Sequence, residues 1–439
     1  MLLKILNSVL AVSNYRPISL LPIFSKIFEK IIYNQFIEYI EKNKILDELQ
    51  FGFQKNKSTE HAISAIISKI TQASSKNLSS YCIFLDFAKA FDTVNHKILL
   101  EKLEYYGIKD KSLDLFNSYL SNRNQVVEVN GVQSDKGTIQ HGVPQGSILG
   151  PLLFLIYIND ISKSSSILKF FLFADDTTVF YSADPNDPNT EKILNTELEK
   201  VSFWLAANKL SLNVKKSNFL HFHRGKSAKT PIQLKINNTP VEEKDSTKYL
   251  GAFIDNKLNW KIQIQHIKSK LSIGIGIISK IRHSVGEACL TLYHSFVQSH
   301  INYNILNWSC IPNSTLDPIE KKIKKAIRVI SFAKTKVEHT APLFKKHNIL
   351  PFHDHIQHRR ASFMWKIHNE YIQSPVSTIF TKNLHNDQRY VLPLPKTEKD
   401  KKSFEYTCVK AWNMVPENIK QTSTLNGFNY KYKRHLLGL

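Results

Sequence analysis

The sequence predicts an α+β protein, with strands and helices mixed over the first 256 residues and mainly helices after them. Two apolar, β-prone runs at residues 81–85 and 169–173 end in carboxylates. From Trp260 onwards, large apolar residues recur at helical spacing. They form one stripe of Ile264, Ile267, Leu271, Ile275, Ile278 and Ile281.

The run at 169–173 is followed by Ala174, Asp175 and Asp176, and then by a second β-prone run at 177–181. This order predicts a hairpin with Ala-Asp-Asp as its tight turn, because aspartate favours turns. Adjacent carboxylates resist ionisation unless a cation joins them, and a divalent cation with oxygen ligands is the simplest partner.

Asp86 ends the other β-prone run, 89 residues before Asp175 (175 − 86 = 89). If the two strands share a sheet, Asp86 joins Asp175 and Asp176. Carboxylates from two strands that hold two Mg²⁺ ions about 3.5–4 Å apart suit in-line displacement at a phosphate. The alternative is that each strand-end aspartate is an ordinary turn or cap.

The composition points to a polyanionic partner. The 439 residues include 59 Lys and Arg against 37 Asp and Glu, for a net charge of +22, which favours nucleic acid over a merely soluble basic protein. The length predicts two or three domains. Four cysteines without metal-ligand or disulfide spacing predict an intracellular protein, and neither a signal peptide nor a membrane span is predicted.

The remaining elements follow from periodicity and turn signals. Asn130-Gly131 is the strongest hairpin signal. Gly142, Gly146 and Gly150 belong to a glycine-rich loop between the carboxylate runs, where a backbone can approach a ligand closely. The predicted helices cover 27–44 with Ser25 as N-cap, 61–70 capped by Ser58 or Thr59, 97–106, 113–120, 152–161 and 190–208, and the further strands cover 218–223 and 248–255, the last broken at Gly251.

Several basic residues are candidate phosphate contacts, each with a solvated-surface alternative. Arg16 is the one charge in a turn-rich entry, and Lys55 and Lys57 precede a helix N-terminus, where anions bind well. A run of basic residues in the helical part predicts a nucleic-acid track: Lys321, Lys322, Lys324, Lys325, Arg328, Lys334, Lys336, Lys345 and Lys346. The nearby His347, His353, His355 and His358 fit no usual zinc spacing.

Seven short motifs follow one another over residues 13–256, and together they resemble the reverse transcriptases of non-LTR retrotransposons, most closely the jockey-like mobile elements. Residues 14–21 and 51–59 resemble the two fingers motifs, 85–92 motif A and 142–147 motif B. Residues 173–176 resemble motif C, 213–217 motif D, and 249–255 the primer-grip strand.

The resemblance implies a right-hand polymerase fold with an antiparallel-sheet palm, fingers, and a mainly helical thumb and C-terminal region. Residues 1–80 would start the fingers, and 81–256 would form the palm with a fingers insertion at about 107–140. Residues 257–345 would be a helical thumb and 346–439 a basic C-terminal region. The reverse transcriptase domain would cover about 13–256.

The resemblance also implies roles. Asp86, Phe87, Asp175 and Asp176 would form the site of two Mg²⁺ ions, with Mn²⁺ as a substitute. Lys216 would donate a proton to pyrophosphate. Phe87, Phe91, Gln145, Lys55 and Lys57 would bind the nucleotide, with Phe91 under its sugar as a barrier to a 2′-hydroxyl. Arg16, Gly146, Tyr249, Leu250 and Gly251 would contact template and primer.

The implied partners are an RNA template, a DNA primer and dNTPs, in the nucleus if the element is active. Nothing in the sequence resembles the endonuclease of full elements, so we expect a fragment of such an element. Two alternatives remain open: a two-metal nuclease of the ribonuclease H type, and a non-catalytic nucleic-acid-binding remnant.

Overall fold

The computed structural model describes residues 18–223, 231–333, 338–372, 374–395, 397–398 and 400–439. The described residues form two compact units. Unit 1 takes in those of Met1–Lys55, Tyr81–Phe219 and Ala228–Glu243, and unit 2 those of Asn56–Ser80, Leu220–Ser227 and Lys244–Leu439. Within these ranges, no helix combines the length and the apolar character needed to cross a bilayer.

Helices make up most of the regular structure. In chain order they are α1 Ile23–Lys42, α2 Thr59–Ser75, α3 His96–Tyr105, α4 Asp110–Leu120, α5 Leu149–Ile158, α6 Thr190–Ala207, α7 Lys261–Val285, α8 Cys289–Tyr293, α9 Ser299–Asn302, α10 Ile305–Trp308, α11 Asn313–Ile330, α12 Thr340–Lys346, α13 Phe352–His368, α14 Phe404–Asn413, α15 Glu417–Lys420 and α16 Leu425–Leu437.

The strands are β1 Ser79–Leu85, β2 Asn124–Gln125, β3 Glu128–Val129, β4 Val132–Gln133, β5 Gly137–Thr138, β6 Lys169–Phe173, β7 Asp176–Ala183, β8 Asn218–Phe222, β9 Lys235–Ile236, β10 Thr239–Pro240, β11 Glu242–Glu243, β12 Ser246–Tyr249 and β13 Ala252–Asp255. Five of them form one sheet in the order β11-β8-β1-β7-β6. The β6–β7 pair is antiparallel as predicted, whereas β11 pairs with β8 in parallel.

The core of unit 1 is centred on α5, in which every residue except Pro151 is buried. A helix that is apolar all round must lie inside a protein, and α5 packs against α1 and α3. It begins three residues before the predicted start and passes into a 3₁₀-helix, Asn159–Ser164. The prediction of Ser25 as a helix cap was wrong. The helix begins at Ile23 after Pro22, whose fixed φ of −55° suits a helix start.

Two hairpins show how turn chemistry decides register. Asn130 and Gly131 both have positive φ, 52° and 81°, and connect β3 to β4 as predicted. The strand predicted at 248–255, with its break at Gly251, is two strands, because Leu250 and Gly251 also have positive φ, 44° and 81°. They form the turn of the antiparallel pair β12–β13, in which Tyr249 lies opposite Ala252.

Unit 2 is mainly helical, as its apolar spacing predicts. The stripe on α7 is buried from Ile264 to Ile278, and α7 packs against α11. Helix α2 is capped by Ser58, whose side chain accepts the backbone N–H of His61. Its Ser64 donates a hydrogen bond of 3.1 Å to Asn307 of α10. The C-terminal helices α13, α14 and α16 pack together.

Candidate active site

The Ala-Asp-Asp turn joins β6 to β7 as predicted. Phe173 pairs with Asp176, so Ala174 and Asp175 are the two turn residues, and Ala174 takes a φ of 55°. Asp175 is half-buried and Asp176 is exposed. The tight turn therefore presents two neighbouring carboxylates at one end of the sheet.

Residues 49–52 run along β6 and hold this turn. The backbone N–H of Phe51 donates to Leu172 O at 2.7 Å, and that of Leu172 donates to Leu49 O at 2.9 Å. The Gln50 side-chain oxygen accepts from the N–H groups of Gly52, at 2.8 Å, and Ala174, at 3.1 Å. Sequence reasoning missed Gln50, which is 1% exposed, because its partner lies 124 residues away.

Gly52 comes so close to the turn that a side chain would not fit. A Cβ atom at this position would lie 2.4 Å from the backbone nitrogen of Ala174. Glycine is needed here for close backbone approach.

Asp86 follows β1, the hydrogen-bonded neighbour of β7 in the sheet. Its N–H donates to Ser217 Oγ at 3.1 Å, and its carbonyl oxygen accepts from Asn213 N–H at 2.7 Å. Ala88 N–H also donates to Ser211 O. The Asp86 segment and the segment of the exposed Lys216 are therefore side by side. The Phe87 side chain is buried in the core of unit 1.

The glycine-rich loop is bonded to the segment that follows Asp86. Val143 N–H donates to Phe91 O at 2.9 Å, and Gly142 N–H donates to Val94 O at 2.7 Å. The Gln145 amide donates to Asp92 Oδ1 at 2.8 Å. Gly146, with a φ of 110°, leaves room for the backbone of Ser19, whose N–H donates to Gln145 O.

Phe91 lies in a 3₁₀-helix, Ala90–Asp92, and is half-buried. Its ring stacks on Phe154 with centroids 4.3 Å apart and meets Phe53 edge-on at 6.2 Å. One face of the Phe91 ring is thus part of the core of unit 1.

The other sequence-predicted residues divide between the units. Lys55 is exposed in unit 1, and Lys57 belongs to unit 2. Tyr249, Leu250 and Gly251 form the end of β12 and its turn in unit 2, where Tyr303 donates a hydrogen bond to Leu250 O. Arg16 lies outside the described residues.

The donor set of Asp86, Asp175 and Asp176 suits a hard cation, although no group of three or more His, Cys, Asp or Glu side chains in the described ranges is placed so that it could hold a metal ion. Mg²⁺ does not need one, since it is usually held by one or two carboxylates together with substrate phosphates and water. The oxygen donors of these carboxylates therefore fit a hard divalent cation.

Comparisons with known proteins agree with the motifs. Residues 7–254 match the family "Reverse transcriptase (RNA-dependent DNA polymerase)". The probable RNA-directed DNA polymerase from transposon X-element of Drosophila melanogaster is 30% identical over 336 residues, which cover 73% of this chain and 36% of that protein. The polymerase from mobile element jockey of the same species is 26% identical, with the same coverage of 73% and 36%.

A more distant relative is the Pol polyprotein of the type-1 retrotransposable element R1 of Bradysia coprophila, which is 24% identical over 70% of this chain and 31% of its own. The chain thus spans about a third of the length of these relatives. Among solved structures, apo telomerase from Candida tropicalis aligns with a TM-score of 0.41 and 12% identity over 76% of this chain and 55% of that one.

The family match and the mixture of helices and sheet confirm the predicted class, α+β with the right-hand polymerase fold. More than half of the chain lies within the matched residues. The chain therefore belongs to the reverse transcriptase family of RNA-dependent DNA polymerases, and its relatives include those of the X-element, jockey and R1 mobile elements.

Proposed function

We propose that this chain extends a DNA primer on an RNA template with dNTPs, as the polymerase of a non-LTR retrotransposon. The observation that carries the proposal is the sheet order, in which the strand that Asp86 follows is hydrogen-bonded to the strand that starts at Asp176. The net charge of +22 supports a polyanionic partner.

Asp86, Asp175 and Asp176 would hold two Mg²⁺ ions, which supply charge neutralisation for an in-line displacement at the α-phosphate. Because Asp175 lies in a turn fixed by Gln50, its carboxylate would need little reorganisation on metal binding. The Asp86 backbone is fixed in the same way by Asn213 and Ser217.

The surrounding side chains would position the nucleotide. The hydrogen bond from Gln145 to Asp92 links the glycine-rich loop to the segment of Phe91, so these two would move together under the incoming sugar and base. Lys216 is exposed beside the Asp86 segment, where it can supply a proton to the leaving pyrophosphate. The fingers, palm and thumb boundaries remain predictions.

The test is primer extension on poly(rA)/oligo(dT) with Mg²⁺, repeated with EDTA. Asp86→Asn and Asp175→Asn should each abolish extension while folding and template binding persist, because each removes a charge that holds metal. Asp135→Asn, in an exposed hairpin, is the matched control. Activity of Asp86→Asn or Asp175→Asn within about tenfold of wild type would exclude these roles.

Two further outcomes address the alternatives. Metal-dependent nicking of supercoiled DNA that survives Asp175→Asn would show a nuclease. Tight template binding without extension by the wild-type chain would show a non-catalytic remnant.

A further inference from the structure

Unit 2 contains a cavity of about 360 Å³, within the size range of small-molecule sites. It lies between α2, the loop that precedes α7, and the start of α14, and every residue that lines it belongs to unit 2. None of its lining residues is among those proposed for catalysis.

The walls suit a flat aromatic ring. Trp260 and Phe404 line the cavity and are each 3% exposed, and Ile67, Ile70 and Leu258 complete the apolar surface. Buried aromatic rings are held by their neighbours, so they offer rigid faces and edges for stacking. Nucleobases stack on such surfaces whatever their identity.

One buried hydroxyl on the cavity wall points to a ligand. Ser80 lines the cavity and is 1% exposed, and its Oγ has no hydrogen-bond partner within the described part of the chain. A buried hydroxyl without a partner is unfavourable. A ring nitrogen or carbonyl oxygen would satisfy it, since a serine hydroxyl both donates and accepts.

A basic basin of about 400 Å³ adjoins the cavity, and the two share Cys310 and Lys402. Arg360 lines the basin, where its guanidinium donates to Ser309 O at 3.1 Å and to Ser309 Oγ at 3.0 Å. These bonds hold it in place, while its buried Nε has no partner among the described atoms.

The first residues of α11, Asn313 and Ser314, also line the basin, and an 18-residue helix directs unpaired N–H groups there. Asp400, which lines the neighbouring cavity, accepts the N–H of Thr397 at 2.7 Å and is thus engaged within its own loop. A phosphate would therefore meet two cations and a helix N-terminus.

The geometry points to a binding site for one nucleotide, with its base in the cavity and its phosphate in the basin. A free nucleotide and an unpaired nucleotide of single-stranded RNA or DNA present the same chemistry. This site is additional to the polymerase site and does not depend on metal.

The test is calorimetric titration of the full chain with AMP, adenosine and inorganic phosphate in EDTA. EDTA keeps metal-dependent binding at the proposed carboxylate site out of the measurement. We expect AMP to bind at least about tenfold more tightly than adenosine or phosphate alone, because only AMP fills both compartments. Phosphate binding as tight as AMP, or no AMP binding at millimolar concentration, would overturn the proposal.

Two pairs of variants locate the site. Thr71 lines the cavity on α2, and Thr71→Trp should fill it and weaken AMP about tenfold or more, while Gln72→Trp on the next position should not. Lys402→Gln should weaken AMP but not adenosine, while Lys401→Gln should change neither. Thermal melting checks that each variant folds. A folded Thr71→Trp or Lys402→Gln that binds AMP like wild type would refute the site.

A competition experiment with oligonucleotides identifies the source of the ligand. Displacement of AMP by a short single-stranded oligo(A), and not by an abasic oligonucleotide, would assign the site to an unpaired nucleotide of nucleic acid. AMP that resists the oligonucleotide would assign it to a free nucleotide.

Discussion

At the residue scale, a tight constraint on the proposed active site lies at Gly52, beside the Ala-Asp-Asp turn. Its Cα lies so near the Ala-Asp-Asp turn that Gly52→Ala would place a methyl group 2.4 Å from the Ala174 nitrogen. We expect primer extension to fall on the order of 100-fold, since a shift of about 1 Å at reacting groups costs that much. The steady-state rate of extension on poly(rA)/oligo(dT) measures this loss of activity.

The matched control is Gly276→Ala in α7, where an added Cβ would meet no atom within 4 Å. It should leave extension unchanged and stability equal or slightly higher, as alanine favours helices. A Gly52→Ala variant that extends primers like wild type would show that this contact does not position the carboxylates.

The variant Phe91→Val tests whether Phe91 selects the sugar of the incoming nucleotide. Its stacking on Phe154 predicts that Phe91→Val destabilises unit 1 by about 1–3 kcal/mol through a cavity. If Phe91 is also a barrier to the 2′-hydroxyl, the ratio of kcat/KM for dTTP to kcat/KM for UTP should fall by at least about tenfold in Phe91→Val. An unchanged ratio with lowered stability would leave Phe91 with a core role alone.

The sequence predicted that Asp86 and Asp175 follow strands and that Asp176 lies beside Asp175, because an apolar strand that ends in carboxylates is a local pattern. It was not sufficient for Gln50 or for the Gln145–Asp92 pair. Gln50 bonds Ala174 across 124 residues, and Gln145 bonds Asp92 across 53 residues. No local pattern reports a hydrogen bond between distant segments.

At the scale of elements, α2 carries a pH-sensitive group. Burial lowers the pKa of His61 from 6.5 to about 4, and the positive charges of Lys366 and Lys57 act in the same direction. The folded pKa lies below the unfolded one, so the stability that neutral His61 contributes is present above about pH 6.5. It is lost as pH falls through about 4.

We therefore expect acidification from pH 7 to 4 to cost about 3 kcal/mol at this residue. His61→Phe should flatten the dependence of the unfolding free energy on pH, measured by denaturant titration at several pH values. Burial also lowers the pKa of His355, to about 3, so some slope should remain. A variant with the wild-type slope would contradict the assignment to His61.

Element boundaries were predictable only where turn chemistry was explicit. Asn130-Gly131 indicates its hairpin, whereas at Leu250-Gly251 the sequence indicates only a break at Gly251, because leucine seldom takes positive φ. Helix α5 begins at Leu149, three residues before the predicted start, because its first turn contains Gly150 and Pro151, which are typical of loops.

At the scale of the whole molecule, charge should govern affinity for the template. Helix α11 buries Ile319, Ile323 and Ile327 and carries Lys321, Lys322 and Lys325 away from that face. The plot of the logarithm of the template–primer binding constant against the logarithm of salt concentration has a negative slope. Replacing these three lysines by glutamine should reduce the magnitude of that slope by about 2–3, because fewer counterions are released. Filter binding of template–primer at several salt concentrations measures the slope.

The matched control replaces three exposed lysines of unit 1, Lys97, Lys109 and Lys111. They carry the same charge but lie outside the helical track. Equal slopes for the two triple variants would mean that α11 is merely a solvated helix face.

The bond between Ser64 and Asn307 has a consequence for synthesis of the protein. The two residues are 243 positions apart, and ten residues of α2 are buried in the finished chain. At the usual rate of translation, about 12–50 seconds pass between the appearance of Ser64 and that of Asn307. During this interval the side of α2 that packs against α10 lacks that partner, so we expect chaperones to bind the nascent chain there.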